Sequence, residues 1–145
     1  MCLYRLCSFL CLFWLLGGQV MAEVPARLEV PESIPGVTTL DAEGLIGLVQ
    51  RQPGLVLIDS RVPADRHQGY IQGSISLPDT QTACATLGDL LNDMDTPVLF
   101  YCNGVKCGRS VITAVIARDC GYRKVFWFRG GFEEWKQKGY PFLQQ

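Results

Sequence analysis

The chain has 145 residues, 48% of them apolar, which suits one domain with a packed core and is too apolar for a disordered polypeptide. Its 13 basic and 14 acidic side chains nearly cancel and are spread along the sequence. No basic field therefore exists to hold nucleic acid or an anionic membrane surface, and a small molecule or a protein is the expected partner.

The first 22 residues, MCLYRLCSFLCLFWLLGGQVMA, carry one positive charge at Arg5, no acid, and a near-continuous apolar run from Leu6 to Leu16. That is the pattern of a secretory signal, with Val20 and Ala22 as the small residues before a cut ahead of Glu23. The run is shorter than the roughly 20 residues a spanning helix needs, so no stable membrane anchor is expected. The expectation is an exported chain, periplasmic if bacterial. Residues 23–36 carry three prolines and no period, and read as an exposed, flexible leader. The domain is expected over residues 37–143.

Asp41 to about Gln50 reads as a helix with Leu45, Leu48 and Val49 on one face and Thr39 as its cap. Leu55–Ile58 and Ser74–Leu77 read as strands, with His67 in an exposed helix or turn between them. Cys84 to Asn92 repeats the helical spacing at Leu87, Leu90 and Leu91, and Pro97–Tyr101 is the most apolar strand candidate. Arg109–Cys120 is apolar almost all round and is expected to be a buried helix that Gly121 ends. Lys124–Phe128 is a further strand, and Phe132–Lys138 a helix with Glu133 and Glu134 where the dipole favours acids. Phe126, Trp127, Phe128 and Trp135 read as core packing. Strands alternating with helices imply a mainly parallel sheet covered on both faces, with ligands beyond the carboxyl ends of the strands.

That address holds the sequence YCNGVKCGRS. Export, if it occurs with cleavage, leaves four cysteines, Cys84, Cys102, Cys107 and Cys120, in surroundings where thiols tend to pair. Four allow three pairings, and sequence does not decide whether the helices of Cys84 and Cys120 meet. One histidine and a C-x4-C spacing make no tetrahedral metal set, so neither metal nor cofactor is expected. Cys102 follows a strand and precedes a helix, where inward backbone N–H groups and a helix amino terminus form an anion cradle that stabilises a thiolate. Lys106 and Arg109 add to this if they face the pocket, and Gly104 and Gly108 let the chain bend. The alternative is that Cys102 is a buried filler.

YCNGVKCGRS and the helix after it resemble the active-site loop of the rhodanese family. "LVLIDSRVPADRHQGYIQGSISLP" resembles that family's upstream strand with its Asp-x-Arg and Gly-x-Ile-x-Gly turn, and "VFWFRGGFEEWKQKGYPF" its last strand, Gly-Gly pair and Trp-bearing helix. The resemblance spans Val37 to Phe142. It implies an α/β fold, a three-layer α/β/α sandwich around a mainly parallel five-stranded sheet. It also implies a sulfurtransferase in which Cys102 takes sulfur from thiosulfate or a related anion as a persulfide and passes it to cyanide or a thiol, a protein thiol being a further candidate. The backbone of Asn103, Gly104, Val105, Lys106, Cys107, Gly108, Arg109 and Ser110 would hold the persulfide. Arg109 would align the donor or tie the loop down, and Asp59 and Arg61 would support the loop as an ion pair.

Three departures stand out. The family's common loop has four residues between cysteine and arginine, and the related dual-specificity phosphatases have five; here there are six, NGVKCG. The pocket is therefore expected to be wider or differently folded, and Tyr70 replaces the usual histidine of the Gly-His-Ile turn. Cys107 lies inside the loop, where it either resolves a persulfide or sulfenate on Cys102 as a disulfide or has no partner. The competing functions are a thiol-disulfide or redox-sensing protein cycling Cys102 with Cys107, a phosphatase, and a noncatalytic binding module.

Overall fold

The computed structural model describes residues 29–144. The expected signal segment and its cleavage site lie outside the described residues, as does the start of the leader.

The sheet is built on the strand that sequence marks as most apolar. In chain order the elements are β1 (Thr38–Leu40), α1 (Ala42–Arg51), β2 (Val56–Asp59), α2 (Pro63–His67), β3 (Ile75–Ser76), a 3₁₀ turn at Asp79–Gln81, α3 (Cys84–Leu90), β4 (Val98–Tyr101), α4 (Arg109–Asp119), β5 (Val125–Phe128) and α5 (Gly131–Gln137). The five strands run in the order β1-β5-β4-β2-β3, all parallel. All of β4 is buried, as a central strand covered on both faces must be.

Alternation along the strands sorts the core into two layers. Ile58, Val98, Phe100, Val125 and Trp127 meet Leu87 and Leu91 at α3 and Ala114 and Ala117 of α4. On the other face, Leu57, Leu99, Tyr101 and Phe128 meet Ala42, Leu45 and Leu48 of α1 and Phe132 and Trp135 of α5. The architecture is the expected three-layer α/β/α sandwich.

Register positions the loops. Tyr101 at the end of β4 lies opposite Asp59 of β2 on one side and Phe128 of β5 on the other. The chain leaving β4 at Cys102 therefore runs between Ser60–Arg61 and Arg129–Gly131.

Four expectations need correction. The part of the leader seen in the structure, residues 29–36, is docked on the domain: Ile34 is buried, and Arg129 and Arg118 donate to the carbonyls of Pro31 (3.0 Å) and Pro35 (2.8 Å). Prolines suppress periodicity, yet Ile34 and Val30 against the core, and three hydrogen bonds accepted by Pro31, Glu32 and Pro35, hold the segment. Thr39 lies in β1 and does not cap α1; Asp41 does, accepting from the Gly44 amide at 2.8 Å, and Val49 faces outward. β1 itself is too short to show a period in sequence.

The fourth concerns α4. Its buried stripe is Ser110, Thr113, Ala114 and Ala117, while Ile112 is exposed and Val115 and Ile116 are half-buried. Small side chains let the helix lie close to β4 and β5, which leaves the branched residues at its flanks.

Cys84 and Cys120 are joined across the start of α3 and the end of α4, with Cα atoms 5.5 Å apart. The bridge closes 36 positions of chain, worth about 4 kcal/mol on a loop-entropy account. The double variant Cys84→Ala/Cys120→Ala is expected to unfold in urea with about 2–4 kcal/mol less stability and an unchanged site, because the bridge lies on the two helices away from Cys102.

Candidate active site

Asp59, at the end of β2, is fully buried and accepts from several donors. Its Oδ1 takes the Arg61 backbone amide (3.1 Å) and Nε (2.8 Å); its Oδ2 takes Arg61 Nη2 (2.6 Å), Arg66 Nη1 (3.0 Å) and the Tyr101 hydroxyl (2.9 Å). Burial alone would raise the Asp59 pKa, but the Arg61 hydrogen bonds and charge outweigh it and hold the carboxyl below its usual range. Tyr101 moves the other way: burial, then the Asp59 charge, push its hydroxyl up, so it stays a donor. The Arg66 guanidinium continues the network to the Ser74 hydroxyl (2.9 Å) and carbonyl (2.7 Å), and Ser74 meets the Tyr101 hydroxyl at 3.0 Å. One buried carboxylate thus faces two buried guanidiniums, and positive charge is left over behind the loop.

Arg61 carries that order to the turn and to the loop. Its Nη2 also donates to the Gly69 carbonyl (2.8 Å), its plane lies over the Phe132 ring (4.5 Å to the centroid), and its Nη1 reaches Asn103 Oδ1 at 3.5 Å. Asn103 in turn donates to Asp65 of α2 at 2.9 Å. Asp59 and Arg61 are therefore a buried pair that touches the cysteine loop through Asn103.

The other side of the loop is held by α5. The amides of Phe132 and Glu133 donate to the carbonyls of Cys102 (2.9 Å) and Asn103 (2.7 Å). Turning those carbonyls toward α5 turns the following amides away from it, into the loop. Gly131 makes the approach possible: its φ is +58°, and a Cβ there would sit 2.4 Å from the Cys102 carbonyl oxygen. Gly104 likewise leaves space that the Glu133 side chain occupies.

Cys102 is 2% exposed. Ser110, in the first turn of α4, points its hydroxyl at Cys102 Sγ (3.2 Å) while accepting from the Trp127 indole N–H at 2.9 Å. Because the indole can only donate, it leaves the Ser110 proton for the sulfur. Thr113 fixes the same turn by donating to the Ser110 carbonyl (3.2 Å) and meets Ser60 at 2.8 Å. The Cys107 amide is taken by the Gly104 carbonyl (2.9 Å), whereas among the described residues the amides of Asn103, Gly104, Val105, Lys106, Gly108, Arg109 and Ser110 meet no protein acceptor. These are the donors an anion at Cys102 would draw on.

Arg109 is turned to Asp79 of the 3₁₀ turn, Nη1 to Oδ1 at 2.8 Å, so it ties the loop's end to the chain after β3. Lys106 and Val105 are exposed at the loop's tip. The sulfur of Cys107 is bonded to that of Cys102, with Cα atoms 6.3 Å apart.

A family model for the rhodanese-like domain matches residues 42–138. The chain belongs to the rhodanese-like domain family. A sulfurtransferase from Allochromatium vinosum is 28% identical over 107 residues, covering 74% of this chain and 95% of that one. Among solved structures, a Bacillus halodurans protein superposes with a TM-score of 0.66 at 21% identity, covering 74% of this chain and 77% of that one. The polysulfide-sulfur transferase homodimer from Wolinella succinogenes gives 0.63 at 21%, covering 76% and 80%. Family and relative together support a sulfurtransferase kind of function.

Several residues of this rhodanese-like site escape sequence reasoning. Trp127 reads as core and is core, but its N–H also orients Ser110. Arg66, Ser74 and Asp79 carry no motif of their own, although Arg66 and Ser74 fall within the quoted stretch around the Asp-x-Arg and the glycine turn. The Gly-Gly pair was visible; its contact with the Cys102 carbonyl was not.

Two variants test the frame. Asp59→Asn leaves two buried guanidiniums short of a counter-charge and is expected to cost about 3–5 kcal/mol in chemical denaturation. Because the folded Asp59 pKa is depressed, its stabilisation is present above the unfolded value of about 4 and is lost as pH falls through the folded value. The wild-type acid limb should therefore steepen below about pH 4 and flatten in the asparagine variant. Gly131→Ala is expected to lose about 2–4 kcal/mol in chemical denaturation, from positive φ and overlap with the Cys102 carbonyl together.

Proposed function

We propose that this chain is an exported sulfurtransferase that carries sulfane sulfur on Cys102, taking it from thiosulfate or a related anion and giving it to cyanide or a thiol. The observation that carries this reading is the placement of Cys102: a nearly buried sulfur at the carboxyl end of the central strand, facing the Ser110 hydroxyl and a loop of unspent amides at the start of α4. Such a site favours a sulfur anion over a neutral thiol.

The transfer runs in two displacements. The Cys102 thiolate attacks the outer sulfur of thiosulfate; the S–S bond of the donor breaks and sulfite leaves with the electron pair. The persulfide anion is held by the loop amides and the Ser110 hydroxyl. Cyanide or a thiolate then attacks the outer sulfur, and Cys102 leaves as the thiolate that the cradle stabilises, so one set of donors serves both steps. Lys106 adds positive charge at the loop tip for an approaching anion.

Pairing of Arg109 with Asp79 weighs against a phosphatase, which needs its loop arginine on the phosphoryl oxygens. The Cys84–Cys120 bridge supports export to an oxidising compartment, and a periplasmic location if the source is bacterial.

The test is mass and product together. The reduced protein incubated with thiosulfate is expected to gain one sulfur on the peptide bearing Cys102 and to form thiocyanate when cyanide is added. Cys102→Ser should lose turnover by roughly a thousandfold or more, as removal of a covalent nucleophile does. Full turnover in that variant would overturn the assignment.

A further inference from the structure

Cys107 is held where it can react with the carrier sulfur. The turn closed by the Cys107 amide on the Gly104 carbonyl (2.9 Å) folds the loop back, so that the Cys107 sulfur meets Cys102 Sγ and the Cys107 carbonyl lies 3.1 Å from it. The Cα separation of 6.3 Å falls within the range that a disulfide spans. Contact is with Cys102 Sγ itself, the inner sulfur of a persulfide.

We infer that Cys107 is a second catalytic residue, which discharges the Cys102 persulfide by displacing its outer sulfur as hydrogen sulfide and leaves a Cys102–Cys107 disulfide. The inference rests on the persulfide reading of Cys102. The Cys107 thiol passes its proton to the outer sulfur while its own sulfur bonds to Cys102 Sγ; the S–S bond of the persulfide breaks and HS⁻ leaves. The sulfane sulfur is reduced by two electrons and the two cysteine sulfurs are oxidised by two, so no outside oxidant enters. Hydrosulfide is a good leaving group because it is a weaker base than an alkyl thiolate, and leaving-group pKa governs such exchanges.

The product disulfide must be opened before another cycle, and the site is asymmetric in the way this requires. Cys102 is 2% exposed and Cys107 is half-buried at the loop surface beside exposed Val105 and Lys106. An entering dithiol therefore meets Cys107 first, forms the mixed disulfide there, and expels Cys102 as the stabilised thiolate. A dithiol reductant, small or protein, is thus the class of reaction that follows this one. The six-residue span between Cys102 and Arg109 has a reason in this scheme: it carries the second thiol over the first.

The experiment uses the full reduced protein, sodium thiosulfate as donor, no cyanide or added thiol, and no oxygen. Wild type is expected to release one sulfide per chain at a rate independent of protein concentration and to end with a disulfide on the peptides of Cys102 and Cys107. Cys107→Ser is expected to keep the added sulfur on Cys102 and release no sulfide. Wild type that keeps its sulfur as long as the variant, or a variant that releases sulfide as fast as wild type, overturns the inference. If neither protein gains sulfur from thiosulfate or from inorganic polysulfide, the persulfide reading fails instead.

Discussion

The Asp59 carboxylate is the constraint on which the site depends. Taken from water, it is tolerable only because Arg61, Arg66 and Tyr101 converge on it, and each of those partners belongs to a different piece of chain. Arg61 starts the segment after β2, Arg66 sits in α2, and Tyr101 is the last residue of the central strand. Satisfying one charge therefore fixes the turn through Gly69, the approach of β3 through Ser74, and the end of the strand that delivers Cys102. The pair contributes geometry more than stability, since a buried ion pair gains little over apolar packing while its halves are costly alone.

Around that frame the cysteine loop is gripped from both sides without being filled. Arg61 and Asp65 hold Asn103 from the β2 side; α5 holds the carbonyls of Cys102 and Asn103 from the β5 side. Carbonyls pulled outward leave amides inward, and the resulting cradle is made of backbone, which cannot swing away as a lysine can. Preorganised donors of this kind cost no reorganisation when charge develops on the sulfur. Trp127 adds a side-chain donor by proxy, since its indole fixes which way the Ser110 proton points.

Cys107 makes the same loop do more than hold an anion. A cradle built only for sulfur transfer needs no second thiol over the nucleophile, and the longer span is what permits it. On the proposed reading, sulfur carried on Cys102 has two exits, one to an outside acceptor and one inward as sulfide, and the availability of acceptor against dithiol reductant sets the balance between them.

Much of this was legible in the residues themselves. The alternation of apolar strands with amphipathic helices is a local property, so it announced a parallel three-layer sheet, and the strand-cysteine-glycine-helix order placed Cys102 at the sheet's carboxyl edge. His67 lies exposed at the end of α2, as expected of a helix or turn residue. Pairings between distant segments left no such trace. That Cys84 meets Cys120, that Arg109 turns to Asp79, that Ile34 enters the core, and that Gly131 lies against the Cys102 carbonyl depend on how the layers stack and on the register of β4 between β2 and β5. Periodicity reports which face of an element is apolar; only packing decides which element it faces, and so which polar groups are left to meet at the ends of the strands.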